Sequence, residues 1–149
     1  MILNEYETIY IARPDLTEDV MTKITTRFEA VITDNAGTIL VSEDWGKRKL
    51  AYIISKHQRG HYIYLNYVAP ATLVAEVERT LGLEDQLLRF LTVKLEENVE
   101  IEARRALAEE RKRLRIERMA ALKAEEEAEA RYRAEAEEAE DELAVEADA

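Results

Sequence analysis

Several residue types on which secretion and catalysis depend are absent or scarce in this chain of 149 residues. There is no cysteine, which excludes disulfide bonds, thiolate metal sites and cysteine nucleophiles. No apolar run approaches the roughly 20 residues of a membrane-spanning helix. The first residues also lack the basic flank and the apolar stretch of a signal peptide. These absences predict a soluble protein of the cytoplasm.

Glycine and proline are also scarce, and they are confined to the first part of the chain. The four glycines and two prolines all lie at or before Gly82. We therefore divide the chain into a domain, residues 1–95, and an extension, residues 96–149. The net charge of −11 divides unevenly, because the domain holds 13 acidic and 11 basic residues and the extension holds 19 and 10. A globally basic nucleic-acid-binding protein is excluded, but the excess acidity belongs to the extension.

Hydrophobic periodicity and turn residues predict six elements in the domain, in the order βαββαβ. Gly46 is expected to mark a β-bulge and Gly60 to close a loop. The order is that of a ferredoxin-like α+β fold, in which two helices cover one face of a four-stranded antiparallel sheet. The predicted strands are 4–12, 38–55, 61–68 and 87–95, and the predicted helices are 17–34 and 70–82. The residues expected to face the core from the first helix are Val20, Ile24, Phe28 and Val31.

Residues suited to catalysis are few. The chain has two serines and two histidines, and it has no glycine-rich phosphate loop. His57 and His61 are four residues apart, but no third ligand is near them, so we interpret them as solvated loop histidines. Glu43 and Asp44 are adjacent on a strand and are expected to point to opposite faces. The sequence therefore predicts no enzymatic activity, no metal and no cofactor.

A basic cluster lies around the predicted turn between the second and third strands. Alternation places Lys47 and Lys49 on one face of the strand and Arg48 on the other. The cluster is either a charged edge strand that resists aggregation or a hairpin that contacts phosphates, and composition leaves both interpretations open. Its members are Lys47, Arg48, Lys49, Lys56 and Arg59.

The third strand invites comparison with the RNA recognition motif, which shares this topology. The start, Arg59-Gly60, fits that motif. Tyr62 then occupies a position that should be small, and Ile63 occupies one that should be aromatic. We therefore predict cross-strand packing of the tyrosines rather than base stacking.

The segment 43–52 resembles the pattern Glu-x-Trp/Leu-Gly-x-Arg-x-Leu-Ala-Tyr of the bacterial small-ribosomal-subunit protein six family. The matching residues are Glu43, Trp45, Gly46, Arg48, Leu50, Ala51 and Tyr52. Further matches are Tyr6-Glu7 in the first strand, Gly60-x-Tyr62 at the third and Leu87-Leu88-Arg89 in the last. The resemblance spans about residues 4–95. Two positions depart from it, since Ile53 stands where the family commonly has proline and Asn4 where many members have arginine.

The resemblance implies a structural RNA-binding role. Members of the family form a heterodimer with ribosomal protein eighteen and bind with it to the central domain of small-subunit ribosomal RNA. By this resemblance we expect RNA contacts from Lys47, Arg48 and Arg89, and the neighbouring Lys49, Lys56 and Arg59 complete the candidate RNA-binding set. The residues expected in the core or facing the protein partner are Tyr6, Trp45 and Tyr52. An alternative of a different class is a small-molecule-sensing regulatory domain, against which the lack of a glycine-rich ligand loop argues.

The extension has two oppositely charged parts. Residues 104–118 hold seven bases and three acids, whereas residues 124–149 hold twelve acids and two bases. Its many alanines and i,i+4 ion pairs predict a solvated helix from about residue 100 to 123 or further, ending in a disordered acidic segment. Whether the basic part contacts RNA is left open. The predicted pairs are Glu100–Arg104, Glu109–Arg113, Glu127–Arg131 and Glu129–Arg133.

Overall fold

The structure is a computed structural model that describes residues 1–147. It divides into two compact units, Met1–Ala108 and a second unit that begins at Glu109. The first unit therefore includes the start of the last helix as well as every strand. The elements in chain order are β1 (Asn4–Ala12), α1 (Glu18–Asp34), β2 (Thr38–Ile54), β3 (His57–Ala69), α2 (Ala71–Leu83), β4 (Leu87–Glu96) and α3 (Ile101–Ala147).

The four strands form one antiparallel sheet in the order β2-β3-β1-β4. Alternate residues of the two central strands point toward α1 and α2 and form the core. We call this side the helix face and the opposite side the open face. The ferredoxin-like prediction is confirmed. The sheet residues buried on the helix face include Tyr6, Thr8, Tyr10, Ile63, Leu65 and Tyr67.

Helix α1 begins and ends where the sequence predicts, but its buried face is shifted. Thr17 caps it by accepting a hydrogen bond from the Val20 N–H at 3.4 Å. The helix carries apolar residues on two neighbouring rows, so periodicity alone could not choose the row at the centre of the contact. Val20 and Val31 are only partly buried. The buried residues are Met21, Ile24, Phe28 and Ile32.

The turn between β2 and β3 is shorter than predicted, with two residues in place of the five-residue loop 56–60. Ser55 and Lys56 form the turn, and both have positive φ angles, 47° and 65°. Gly60 is not in a loop but in β3, opposite Arg48. A Cβ atom at position 60 would lie 2.2 Å from Ile11 Cγ2, so glycine is needed here for close packing rather than for a turn.

The predicted bulge at Gly46 is confirmed, since this residue has a φ angle of 76° and the β2–β3 register shifts between Asp44 and Gly46.

We predicted that the acidic segment at the end of the extension is disordered. The structure instead has it in helix α3 up to Ala147, so the prediction is wrong for these residues. Alanine and glutamate, which make up most of this segment, have high helix propensity. The prediction of disorder considered only the charge of the segment and neglected this propensity. The predicted pair Glu129–Arg133 is present, at 3.6 Å. Positions 148 and 149 lie outside the described residues. None of the helices in residues 1–147 is long and apolar enough to cross a membrane.

Candidate nucleic-acid interface

The five basic residues of the β2–β3 hairpin all lie at its surface. The register pairs Lys47 with His61, Arg48 with Gly60 and Lys49 with Arg59. Lys47 and Lys49 therefore lie on the helix face and Arg48 on the open face, as alternation predicted. The hairpin presents positive charge on both of its faces, and the turn residue, Lys56, adds a further charge at the tip.

Residues that we predicted to lie in the loop before the third strand belong to β3 instead. His57 and Arg59 join His61 in this strand because the turn is so short. Arg59 donates from Nη2 to the Lys47 carbonyl oxygen at 3.3 Å, which links the two strands of the hairpin. His61 Nε2 lies 2.5 Å from Asp44 Oδ1, and the side chain of His61 is largely buried. The histidines are thus strand residues rather than solvated loop residues.

Trp45 is held on the open face by contacts within the protein. Its ring stacks on that of Tyr64, with 5.2 Å between centroids and 7° between planes. Its Nε1 donates to Glu43 Oε2 at 3.0 Å. The guanidinium carbon of Arg48 lies 5.3 Å from the Trp45 ring centroid, and Arg48 Nε donates to the Trp45 carbonyl oxygen at 3.3 Å. The aromatic ring fixes the guanidinium at the surface, where its remaining N–H groups can reach a phosphate.

Tyr64 anchors this stack to the central strands. Its hydroxyl donates to Glu7 Oε2 at 3.1 Å. Burial and this hydrogen bond to a carboxylate raise the pKa of Tyr64 to about 12. The tyrosine therefore packs across the strands, as we predicted, with its ring engaged by Trp45.

Glu43 and Asp44 lie on opposite faces of β2, as expected, because Glu43 is paired with Tyr64 on the open face and Asp44 with the core residue Ile63. This arrangement separates the two carboxylates and supplies no pair for acid–base chemistry.

Arg89 is brought to the hairpin from the other edge of the sheet. It is opposite Ile11 in the β1–β4 ladder, on the open face. Its guanidinium carbon lies 5.8 Å from the ring centroid of Tyr52, which is 62% exposed. The hairpin tip must therefore curl across the end of the sheet. Two arginine–aromatic pairs, Arg48 with Trp45 and Arg89 with Tyr52, lie on this side of the domain.

The three aromatic residues that were expected in the core or at a partner surface have different surroundings. Tyr6 is a core residue, 5% exposed, and its hydroxyl accepts a hydrogen bond from Asn4 Nδ2 at 3.0 Å. Trp45 is half-buried on the open face, and Tyr52 is exposed. Ile53, which stands at the family's proline position, is also exposed.

The match to known proteins agrees with this geometry. A family profile described as "Ribosomal protein S6" matches residues 5–94. The chain belongs to the ribosomal protein S6 family. Members of this family are structural, non-enzymatic components of the ribosome, which confirms that the chain is not an enzyme. The matched region ends within β4, so α3 lies outside it.

Individual relatives carry the same name. The small ribosomal subunit protein bS6 of Geotalea uraniireducens is 47% identical over 98 residues, covering 66% of this chain and 77% of that protein. That of Thermosynechococcus vestitus is 40% identical over 102 residues, covering 68% and 90%. That of Desulfatibacillum aliphaticivorans is 39% identical over 101 residues, covering 68% and 55%. The match thus spans little more than half the length of this last relative.

A solved structure supports the fold. The crystal structure of 30S ribosomal protein S6 from Thermotoga maritima superimposes with a TM-score of 0.60 at 24% sequence identity, covering 62% of this chain and 88% of that one.

An ion-pair contact that the sequence did not predict joins the start of α3 to strands β1 and β4. Arg104 Nη1 lies 3.3 Å from Glu5 Oε2, and Arg104 Nη2 lies 3.8 Å from Glu96 Oε2. Glu5 is buried and also accepts from Asn66 Nδ2 at 3.0 Å. We had paired Arg104 with Glu100 by helical spacing. No local pattern could reveal a partner at the other end of the sequence.

A second missed feature is an apolar strip on the edge strand β4. Leu91 and Val93 are opposite Ile9 and Glu7 on the open face, and they are 62% and 40% exposed. Leu95, next along the strand, is 44% exposed. Strict alternation along a strand places Leu91, Val93 and Leu95 on one face together with Arg89, and this is the signal in the sequence from which the strip could have been predicted.

Within residues 1–147 of this S6-family chain, no group of three or more histidine, aspartate or glutamate side chains is arranged to hold a metal ion.

Proposed function

We propose that this chain is a structural constituent of the small ribosomal subunit in the cytoplasm. In this role it binds the central domain of small-subunit ribosomal RNA together with ribosomal protein eighteen. Membership of the ribosomal protein S6 family and the names of the bS6 relatives support this role. The observation that carries the RNA contact is the β2–β3 hairpin, where five basic side chains lie together at the surface of a domain whose total charge is close to neutral.

The chemistry of the hairpin suits a phosphate backbone. Phosphates favour arginine forks and lysine point charges, and contacts to them position a protein without reading sequence. Arg48 and Arg89 are each placed beside an aromatic ring, which limits the conformational freedom they would lose on binding. Lys47, Lys49 and Lys56 add charge around these two arginines.

The apolar strip of β4 supports a protein partner on the open face. An exposed row of leucine and valine side chains is unfavourable in water and is typical of a protein–protein contact. Leu91 and Val93 lie on the same face as Arg89, so a protein on the strip would be next to RNA on the arginine. Residues 1–95 carry little net charge, so on their own they should bind RNA weakly. A second protein that binds the same RNA would strengthen the complex. We therefore assign the strip to ribosomal protein eighteen.

A binding titration tests the proposal. The full chain is titrated into a labelled transcript of the rRNA central domain, with and without ribosomal protein eighteen. We expect binding that the partner strengthens at least tenfold, and co-sedimentation of the chain with small subunits in cell extracts. Recovery of the chain only in the ribosome-free fraction, with no RNA affinity in either titration, would contradict the proposal. Stabilisation by a metabolite in a thermal-shift screen would instead support a small-molecule sensor.

A further inference from the structure

One face of helix α3 carries a single cation and a single anion among apolar side chains. Arg118 and Glu125 are seven residues apart, nearly two turns, so their side chains lie on the same face about 10 Å apart along the helix axis. Leu114 and Leu122 of this face are 52% and 46% exposed. We call it the seam face. Its members, all exposed, are Leu114, Arg118, Ala121, Leu122, Glu125 and Ala128.

Neither charge of the seam face has an oppositely charged residue at helical spacing. Ion pairs along a helix join residues three or four positions apart. At those positions Arg118 has only apolar residues and another arginine, and Glu125 has only apolar residues and another glutamate. Two nearby bases are already engaged, since Arg113 pairs with Glu117 at 4.0 Å and Arg115 has an interaction of its own. The two charges of the seam face are therefore available to a partner outside the helix.

A second copy of α3 that runs in the opposite direction complements this face. With a two-fold axis between Ala121 and Leu122, position 118 of each copy is opposite position 125 of the other. The same reversal sets residues 111–118, with five bases and one acid, against residues 125–132, with four acids and one base. Two parallel copies would instead oppose arginine with arginine and glutamate with glutamate, which is destabilising. Charge therefore favours the antiparallel arrangement.

We propose that the seam face binds the seam face of a second copy of this chain, as an antiparallel helix pair with one Arg118–Glu125 ion pair on each side of the two-fold axis. The inference does not depend on the proposed function. The leucine and alanine side chains between the ion pairs bury apolar surface that is exposed in the single helix. Charged residues within an apolar seam fix the register and the direction of paired helices.

The length of the seam sets the strength of the contact. Residues 111–132 span about 33 Å of helix, and the seam face has two leucines in each copy. A contact of this size forms a weak, reversible dimer rather than an obligate one. Self-association should therefore depend on protein concentration and decrease at high salt, which screens exposed ion pairs.

A nucleic acid is a poorer partner for the same face. Glu125 lies on it, and residues 126–129 add three glutamates, all of which a phosphate backbone repels. A second copy supplies an arginine for each Glu125, whereas RNA supplies no cation.

The first test is a charge exchange in the full-length chain. Sedimentation equilibrium is measured from about 10 µM to about 1 mM protein for the wild type, Arg118→Glu, Glu125→Arg and the double variant with both changes. The control is Lys112→Glu, which makes the same change of charge as Arg118→Glu but lies about 120° around the helix from it. Circular dichroism verifies that all variants keep the wild-type helical content.

The wild type should dimerise, and each single change in the seam face should weaken dimerisation about tenfold or more, because it opposes like charges twice. The double variant should recover the wild-type affinity, since both ion pairs are restored with their signs exchanged. Lys112→Glu should stay within about twofold of the wild type. A wild type that is monomeric over the whole range would overturn the proposal, and so would a double variant that dimerises no better than the single ones.

A second test measures the direction of the paired helices. The chain has no cysteine, so one introduced cysteine in each copy reports a single position. The antiparallel pair sets position 111 opposite position 132 of the other copy. Under air oxidation, a mixture of Arg111→Cys and Tyr132→Cys chains should therefore form the mixed disulfide faster than either chain cross-links with itself. Faster cross-linking of each chain with itself would indicate parallel pairing and would overturn the proposal.

Discussion

Arg89 of β4 lies against Tyr52 of β2, although these strands form the two edges of the sheet. The distance from the guanidinium carbon to the ring centroid is 5.8 Å. The contact exists because β2 and β3 continue beyond the region paired with β1, and the end of the hairpin curls over the open face. It brings a cation from the last strand to the hairpin that carries the other five.

Loss of either ring-bound arginine should weaken RNA binding. In the proposed function each of these arginines contacts one phosphate, so Arg48→Ala and Arg89→Ala should each lower the slope of log K against log salt by about one. The measurement is the titration with ribosomal protein eighteen over a series of KCl concentrations. Arg79→Ala is the matched control, because Arg79 is an exposed cation of α2 that pairs with Glu76. If Arg79→Ala weakens RNA binding equally, the affinity depends on the total charge of the protein and not on contacts made by Arg48 and Arg89.

Gly60→Ala should destabilise the domain by about 1–3 kcal/mol, because the new methyl group would overlap Ile11 Cγ2. Urea unfolding measures the free energy. The additional substitution Ile11→Ala should recover part of the loss caused by Gly60→Ala, when compared with Ile11→Ala alone. Gly82→Ala is the control. Position 82 is in α2 with nothing within 4 Å, so this change should be neutral or stabilising by up to about 1 kcal/mol. If Gly60→Ala has the wild-type free energy of unfolding, β1 and β3 can move apart at this point without loss of stability, and the prediction is wrong.

Arg104→Ala should destabilise the first unit by about 1–3 kcal/mol, because it leaves the buried Glu5 carboxylate without its cation. The amide protons of Asn98 and Val99, which are bonded to Asn4 and Leu3, should also exchange faster. Urea unfolding and hydrogen exchange provide the two measurements.

Two further variants show whether a loss of stability in Arg104→Ala comes from the buried charge of Glu5. Glu5→Gln combined with Arg104→Ala should be more stable than Arg104→Ala alone, since the buried charge is gone. Arg105→Ala removes an exposed cation that pairs with Glu102, and it should change stability by less than about 1 kcal/mol. If Arg104→Ala behaves like Arg105→Ala, the contact with Glu5 does not stabilise the protein.

The domain should lose stability in alkali. Burial raises the pKa of Tyr10, Tyr64 and Tyr67, and for Tyr64 it reaches about 12. An unfolded tyrosine ionises near pH 10, so the stabilisation is complete below pH 10 and is lost as the pH rises toward 12. The urea midpoint should therefore fall over this range. Tyr64→Phe should make the fall shallower, whereas Tyr132→Phe, an exposed position on α3, should not. A midpoint independent of pH would contradict the assignment.

Periodicity and turn residues predicted the element order correctly, because each strand and helix follows from its neighbours in sequence. The bulge at Gly46 was predicted for the same reason. Gly60 was misplaced because its role depends on Ile11, a residue of another strand. The acidic end of α3 was misjudged because charge composition was weighed above helix propensity.

The candidate site was predictable in its residue types and not in its contacts. The motif around Trp45 identified the basic hairpin. It could not show that Arg48 rests on Trp45, or that Arg89 meets Tyr52 from the opposite edge of the sheet. These pairs depend on strand register and on the curl of the hairpin, which are properties of the assembled sheet.

The stack of Trp45 on Tyr64 also gives the protein an intrinsic optical probe. Trp45 is the only tryptophan of the chain, so its fluorescence reports one location, beside Arg48 on the hairpin. An RNA phosphate that draws the guanidinium away from the indole would change that emission. The RNA contact proposed for this hairpin can therefore be tested by titrating RNA into the protein without attaching a dye.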